Sequence, residues 1–394
     1  MSDTIFAALD RLAIELPSWG FANTGTRFGK FIQPSAAATI EEKLCDAAEV
    51  HRLMGCCPTV AVHTAWDFPK GLDSAGEIAR RAESKGVRIG SVNPTLFQDQ
   101  EYKYGSLGNP DPEVRKRALD HILESLKIAR ATGSKELVLW FADGSNYPGT
   151  ANIRHRKAWF EEALQTVGGM LSADETMLVE YKPFEPAFYH TDIADWGMAL
   201  HFARKAGSQA RVLVDTGHHY HTQNIEQIVA WLMSEGMLGG FHFNDRRYAD
   251  DDLTVGSIDP YQLFRIFYEI FLFGWEQGAP PEISYMVDQS HNLKNKIEAV
   301  IQTVSTVQEV VAKAALVDYE ALARHQDRCD LIDAEECLRK AFRTDVTNTI
   351  FQWRESRNLP ADPLAAFRES GYTARATAER GSRNRAGAAS YVES

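Results

Sequence analysis

Cysteine is scarce in this chain. Five residues, Cys45, Cys56, Cys57, Cys329 and Cys337, are spread over 394 positions, an odd number with one adjacent pair. That count excludes a disulfide framework, and the spacing is not that of a zinc knuckle. Long apolar runs are also missing: no window offers the roughly 20 uncharged apolar residues that a membrane-spanning helix needs. Residues 5–16 carry Asp10, Arg11 and Glu15, so no secretory leader is expected there. Glycine is present 27 times, yet neither the G-x-G-x-x-G nor the G-x-x-x-x-G-K-[ST] fingerprint occurs, which removes the usual dinucleotide and nucleotide-phosphate sites. Positive charge is in deficit, with 42 Lys and Arg against 54 Asp and Glu and a net charge of −12. An acidic chain without a basic aromatic groove supplies no attraction for a phosphate backbone. The expectation is a soluble protein of the reducing cytoplasm, with no nucleic-acid and no membrane partner.

What is present is a periodic alternation. Hydrophobic residues make up 44% and charged residues 24%, ordinary for a globular chain with enough length to bury a large core. Short β-type runs recur at 15–20, 59–64, 87–92, 136–141, 177–181, 211–214, 239–243 and 283–287. Each ends on polar or charged residues, and segments with helical spacing fall between them at 41–53, 74–84, 112–131, 159–171, 193–206, 225–235 and 294–312. Eight βα units in series predict an α/β fold of the (β/α)₈ TIM barrel type, spanning residues 1–315 as the catalytic domain. Residues 316–372 read as a helical extension that wraps the barrel or a neighbouring subunit. Residues 373–394 are rich in Ala, Arg, Ser and Gly, with few large apolar side chains, and read as a mobile tail.

In such a barrel the chemistry sits at the C-terminal ends of the strands. Here those ends carry Glu180, Asp215 with His218 three residues on, His242 with Asp250 in the loop beyond it, and Asp288. Taken singly, each reads as an ordinary loop residue. Jointly, on four consecutive strands, six oxygen and nitrogen donors without a thiolate suit a hard divalent cation such as Mn²⁺, Mg²⁺ or Co²⁺, and two ions sharing a bridging carboxylate would use the set economically. Lys182 lies two residues beyond Glu180, on the same face, placed either to support charge on a substrate oxygen or to pair with a neighbouring carboxylate. Trp66, Phe97 and Trp140 form either an apolar wall for a sugar or part of the core. His63 ends the second run, where a packed histidine and a proton carrier are both open readings. Asp67 stands as its expected hydrogen-bond partner.

At these residues the chain resembles the broad-specificity L-rhamnose isomerases, within the xylose-isomerase-like barrels. The motifs that carry the likeness are PSWGFANTGTRF from Pro17, YKYGSL from Tyr102, FADGSNYPG from Phe141, EYKPFEPAFY from Glu180, VDTGHH from Val214, GGFHFND from Gly239, YADDD from Tyr248 and MVDQSHN from Met286. The resemblance implies an aldose–ketose isomerase that binds two divalent metals, commonly manganese, and assembles as a homotetramer. It further implies that Glu180, Asp215, His242 and Asp288 hold a structural ion with Glu180 bridging, and that His218 and Asp250 complete a catalytic one. It makes His63 the ring-opening residue, Lys182 the contact near C1, Trp66, Phe97 and Trp140 the pocket walls, and Phe28 a side chain donated to a neighbour's pocket. The expected reaction is L-rhamnose to L-rhamnulose by a metal-assisted 1,2-hydride shift, with an ene-diol route as the alternative. L-mannose, L-lyxose, D-allose and D-ribose stand as further candidate substrates. Two departures from the family pattern stand beside the metal set: Tyr181, where relatives often have His, and Arg246-Arg247, where Ser-Lys is common. The rival readings are a metal-dependent hydrolase on the same barrel and a non-catalytic sugar-binding protein.

Overall fold

The computed structural model describes residues 2–23, 31–184, 190–247 and 252–386; Phe28 and Asp250 lie outside them. Eight parallel strands close into a barrel in sequence order: β1 (Ile14–Pro17), β2 (Thr59–His63), β3 (Arg88–Asn93), β4 (Glu136–Leu139), β5 (Thr176–Glu180), β6 (Ala210–Asp215), β7 (Leu238–Phe243) and β8 (Ser284–Val287). Closure comes from β1 pairing with β8, Ile14 opposite Tyr285. The expected α/β barrel with a C-terminal helical region is thus what the chain forms.

Side chains alternate along each strand. Outward-facing Val60, Val62, Leu137, Leu139, Val179, Val212 and Val214 are fully or almost fully buried in the main core against the surrounding helices. Burying a side chain of this kind stabilises by roughly 1.5–3 kcal/mol. Val138, Leu178, Leu213 and Met286 form a separate small cluster that plugs the barrel's middle. The helices begin where the sequence supplies caps. Thr39 and Glu42 make a reciprocal capping box on Ile40–Met54, and Asp111 with Pro112 opens Pro112–Thr132.

Several boundaries differ from the sequence expectation for identifiable reasons. The first run was expected to extend to residue 20, but β1 stops at Pro17 and Ser18–Phe21 turns as a 3₁₀ helix. The helix expected at 159–171 starts earlier, at Ile153, because Asn152 accepts from the amides of Arg154 and His155. Pro260–Gln277 has no counterpart in the sequence expectation; Asp259 opens it by accepting from the Gln262 amide, and Gln262, Arg265, Glu269 and Glu276 share its polar face.

The expected mobile tail is corrected over its first part. Tyr372–Ala386 forms a helix. Charge pairing does what apolar burial could not. Arg380 donates to both carboxylate oxygens of Asp46 at 2.8 and 2.9 Å, Arg383 pairs with Glu42 at 2.9 and 3.0 Å, and Asn384 donates to the carbonyls of Pro34 and Ala36, each at 2.9 Å. Residues 387–394 lie outside the described ones. No single helix among the described residues is long and apolar enough to cross a membrane.

Candidate metal centre

Glu180 and Asp215 are the last residues of β5 and β6, His242 is the second-to-last of β7, and Asp288 directly follows β8. Register places Asp215 beside His242 and His242 beside Met286, so the four side chains enter the same end of the barrel. Each offers one ligand atom, and these atoms all lie within 4.8 Å of one another. Glu180, Asp215 and His242 are buried and Asp288 is half-buried.

Donors hold the carboxylates in place. Asn244 gives its amide to both oxygens of Asp215 at 3.0 and 3.1 Å, and the Gly217 amide gives to Asp215 Oδ1 at 2.6 Å. A Cβ at residue 217 would stand 2.2 Å from Asn244 Oδ1, so only glycine lets the backbone come this close. Trp19 donates its indole Nε1 to Asp288 Oδ1 at 2.7 Å. His242 Nδ1 lies 3.2 Å from Glu180 Oε1 and 3.9 Å from Asp215 Oδ2. His218 Nδ1 donates to the Tyr181 carbonyl at 2.9 Å and lies 3.3 Å from Glu180 Oε1, with its Nε2 3.8 Å from Asp215 Oδ2.

The electrostatics of this cluster call for positive charge. Burial alone would lower the His242 pKa; the carboxylates of Glu180, Asp288 and Asp215 outweigh it and push it up to about 10. Burial likewise works to raise Glu180, but His242, His218 and Lys182 hold it below the usual carboxylate range. His242 Nε2 is buried without a hydrogen-bond partner among the described residues, so a proton is a poor counter-charge in this position. Three carboxylates and an imidazole with no thiolate are the donor set of a hard divalent cation, and the residues present fit one.

Beside the cluster lies an aromatic arc. His63 packs against Trp66 at 4.1 Å between centroids, Trp19 at 4.9 Å and Phe97 at 5.8 Å; Phe97 meets Trp140 edge-on at 4.9 Å. Buried Lys182 sets its ammonium 5.0 Å from the Trp140 ring centre. Burial, with the nearby charge of Lys43, lowers the His63 pKa to about 3, which keeps the imidazole neutral. Asp67 is not the partner of this ring: its carboxylate accepts from the His63 backbone amide at 2.9 Å, Ser18 at 2.6 Å and Lys43 at 2.6 Å. The ring's Nδ1 instead lies 3.4 Å from Thr95 Oγ1.

The structure therefore brings together Glu180, Asp215, His218, His242, Asp288, Lys182, His63, Trp66, Phe97 and Trp140. Sequence reasoning missed Trp19, Asn244 and Thr95. Trp19 and Asn244 stand inside the motifs PSWGF and GGFHFND, but their roles depend on reaching across the barrel, which spacing does not reveal.

Comparison with known proteins points the same way. Residues 44–271 match the family model described as xylose isomerase-like TIM barrel. A Rhizobium meliloti (strain 1021) protein named "probable sugar isomerase" is 39% identical over 383 residues, covering 96% of this chain and 88% of its own. The xylose isomerase of Thermus thermophilus is 27% identical over 237 residues, covering 55% of this chain and 60% of its own. Among solved structures, the 3-keto-D-glucoside 4-epimerase of E. coli aligns with a TM-score of 0.53 at 13% identity, covering 76% of this chain and 99% of its own, a likeness of fold alone. The chain belongs to the xylose isomerase-like TIM barrel family.

Proposed function

We propose that the protein is a divalent-metal-dependent aldose–ketose isomerase that converts L-rhamnose to L-rhamnulose and accepts related aldoses. The observation that carries the reading is the Glu180–Asp215–His242–Asp288 cluster, buried but for half-buried Asp288 and set beside a neutral histidine and an aromatic arc. Sugar-isomerase relatives that align over 96% of the chain support it. In this reading Glu180, Asp215, His242 and Asp288 hold one ion, while His218 and Asp250, with Glu180 shared, hold a second. When bound, such ions supply Lewis acidity to the oxygens at C1 and C2; Mn²⁺ is the proposed metal, and Mg²⁺ or Co²⁺ suit the same donors.

The chain's own residues do the rest. Neutral His63 can give a proton from one ring nitrogen and take one on the other, so it carries a proton between the anomeric hydroxyl and the ring oxygen as the pyranose opens. Lys182 donates to O1 and supports charge that develops there. Trp66, Phe97 and Trp140 exclude water from the sugar's carbon face, and Phe28 extends that wall into a neighbour's pocket in the proposed homotetramer. Asp250 counts among the catalytic residues of this reading as a ligand of the second ion. The hydrogen on C2 moves with its electron pair to C1 while a proton passes from O2 to O1, so the ketose has the aldose's composition.

Product NMR tests the reading. Chelator-stripped protein restored with Mn²⁺ should form L-rhamnulose from L-rhamnose while the unrestored protein does not; no ketose from L-rhamnose or any of the related aldoses would overturn it. Turnover in D₂O examines the route. Negligible deuterium at C1 is expected for the hydride shift, and substantial incorporation would mean an ene-diol.

A further inference from the structure

Behind the cluster stands a second layer of contacts that the chemistry above does not use. Tyr181 is fully buried, and its hydroxyl lies 2.7 Å from His219 Nε2. Its backbone carbonyl accepts from His218 Nδ1 at 2.9 Å. Arg246, also buried, spends its guanidinium on the loop after β6: Nε donates to the His219 carbonyl at 2.6 Å, Nη1 to the Thr216 carbonyl at 2.9 Å and Nη2 to the Tyr220 carbonyl at 3.4 Å. Nη1 also reaches Gln262 Oε1 at 3.3 Å, which ties the group to the helix Pro260–Gln277. His219 thus sits between the two, held by Tyr181 through its ring and by Arg246 through its carbonyl. His218 is its chain neighbour.

We infer that Tyr181, His219 and Arg246 form a brace that fixes the loop 216–220 and so sets the tautomer and aim of His218. A carbonyl can only accept, so the bond to Tyr181, with Glu180 Oε1 3.3 Å from the same nitrogen, keeps the proton of a neutral His218 on Nδ1 and leaves its Nε2 lone pair on the side of Asp215 Oδ2, 3.8 Å away. Three carbonyls of one loop gathered by a single planar fork leave that loop little freedom to tilt the imidazole. Lysine in its place would offer one point of attachment. The three are positioning residues that act through His218, and the inference rests on the reading of His218 as a ligand of the second ion.

The test is Mn²⁺ titration of stripped full-length protein, followed by the electron paramagnetic resonance signal of free Mn²⁺. Parent protein should take up two ions per chain. Tyr181→Phe and Arg246→Gln should each weaken one of the two sites, by roughly 10–100-fold as for other residues that orient metal ligands, and leave the other site at parent affinity. His218→Ala should weaken that same site, and adding Tyr181→Phe to it should cause no further loss, because the hydroxyl acts through His218. Arg246→Lys should recover part of the loss. Tyr181→Phe keeps the ring's volume, so it carries the test even where Arg246→Gln lowers the melting temperature. Two parent-like sites in Tyr181→Phe, or a further loss on the His218→Ala background, would overturn the brace alone. A parent protein that binds no Mn²⁺ would overturn the metal reading and the brace with it.

Discussion

The barrel's two ends bury carboxylates in different ways. At the C-terminal end, Asp215 receives an asparagine amide and a backbone amide, and Glu180 faces two imidazoles. At the N-terminal end, Glu15 of β1 accepts from the Ser91 amide and hydroxyl, and Glu136 of β4 accepts from the Ser284 hydroxyl. A cavity of 880 Å³ opens there, lined by both glutamates and by Phe267, Phe271, Trp275 and Tyr285. Glycine at residue 90 is what leaves room for Glu15, since a Cβ there would stand 1.3 Å from its Oε2. Between the ends lies the apolar layer of Val138, Leu178, Leu213 and Met286.

The difference lies in charge. Burial and the neighbouring Glu15 push Glu136 up to about 7, with the Ser284 hydroxyl opposing them, whereas Glu180 is held below the usual range despite its burial. Hydroxyl partners tolerate a protonated acid. At Glu15 and Glu136 burial outweighs the hydroxyl and amide donors, whereas at Glu180 two imidazoles and Lys182 outweigh burial. Glu180 is therefore held in the charged form that meets a cation, and the lower pair is a packing arrangement that accepts a proton, in spite of the cavity beside it.

The substitution that separates the two ends most sharply is Asp215→Asn, which should remove metal-dependent turnover by more than about a hundredfold, read from ketose formation at saturating Mn²⁺. His63→Asn comes next: loss of the proton carrier should slow turnover of the cyclic sugar by about 10²–10⁴-fold while Mn²⁺ affinity stays at parent level. Leu178→Ala should leave a cavity between the ends and destabilise by about 2–5 kcal/mol in urea unfolding, without loss of either metal site.

Glu136→Gln should have the smallest effect, and its sign is set by the raised pKa. The fold favours protonated Glu136, so that contribution to stability is complete below the ordinary pKa of about 4.5 and is lost as pH rises through about 7. Glutamine keeps the neutral form at all pH values. Its melting temperature relative to the parent should therefore climb between pH 5 and pH 8, with turnover unchanged. Glu269, pushed up to about 7 by burial and by Glu226 and Glu276, is present in both proteins and cancels in the difference.

Much of the upper end was legible in the sequence because strand ends are marked by polarity: Glu180, Asp215, His242 and Asp288 each stand at or next to the end of an apolar run, and the eight-fold repeat of such runs fixes which end they share. The supporting residues were less legible. Trp19 reaches from β1's 3₁₀ turn to Asp288, 269 residues away, and nothing in local spacing records that contact. Asp67 was expected to hold the ring of His63 from its position four residues on, yet the short helix Thr64–Asp67 turns the carboxylate back onto the backbone amide and Lys43. The helix Tyr372–Ala386 escaped because its order depends on Asp46 and Glu42, far away in the chain, rather than on its own apolar content. The lower glutamates were hidden for a similar reason: residues 15 and 136 lie at the N-terminal ends of their strands, where a charge ordinarily faces solvent.

The most direct measurement is product NMR of L-rhamnose incubated with stripped and Mn²⁺-restored parent, Asp215→Asn and Glu136→Gln proteins side by side. The account predicts Mn²⁺-dependent L-rhamnulose from the parent and from Glu136→Gln, and none from Asp215→Asn. Parent-like turnover in Asp215→Asn, or its loss in a folded Glu136→Gln, would contradict the assignment of the chemistry to the C-terminal end of the barrel.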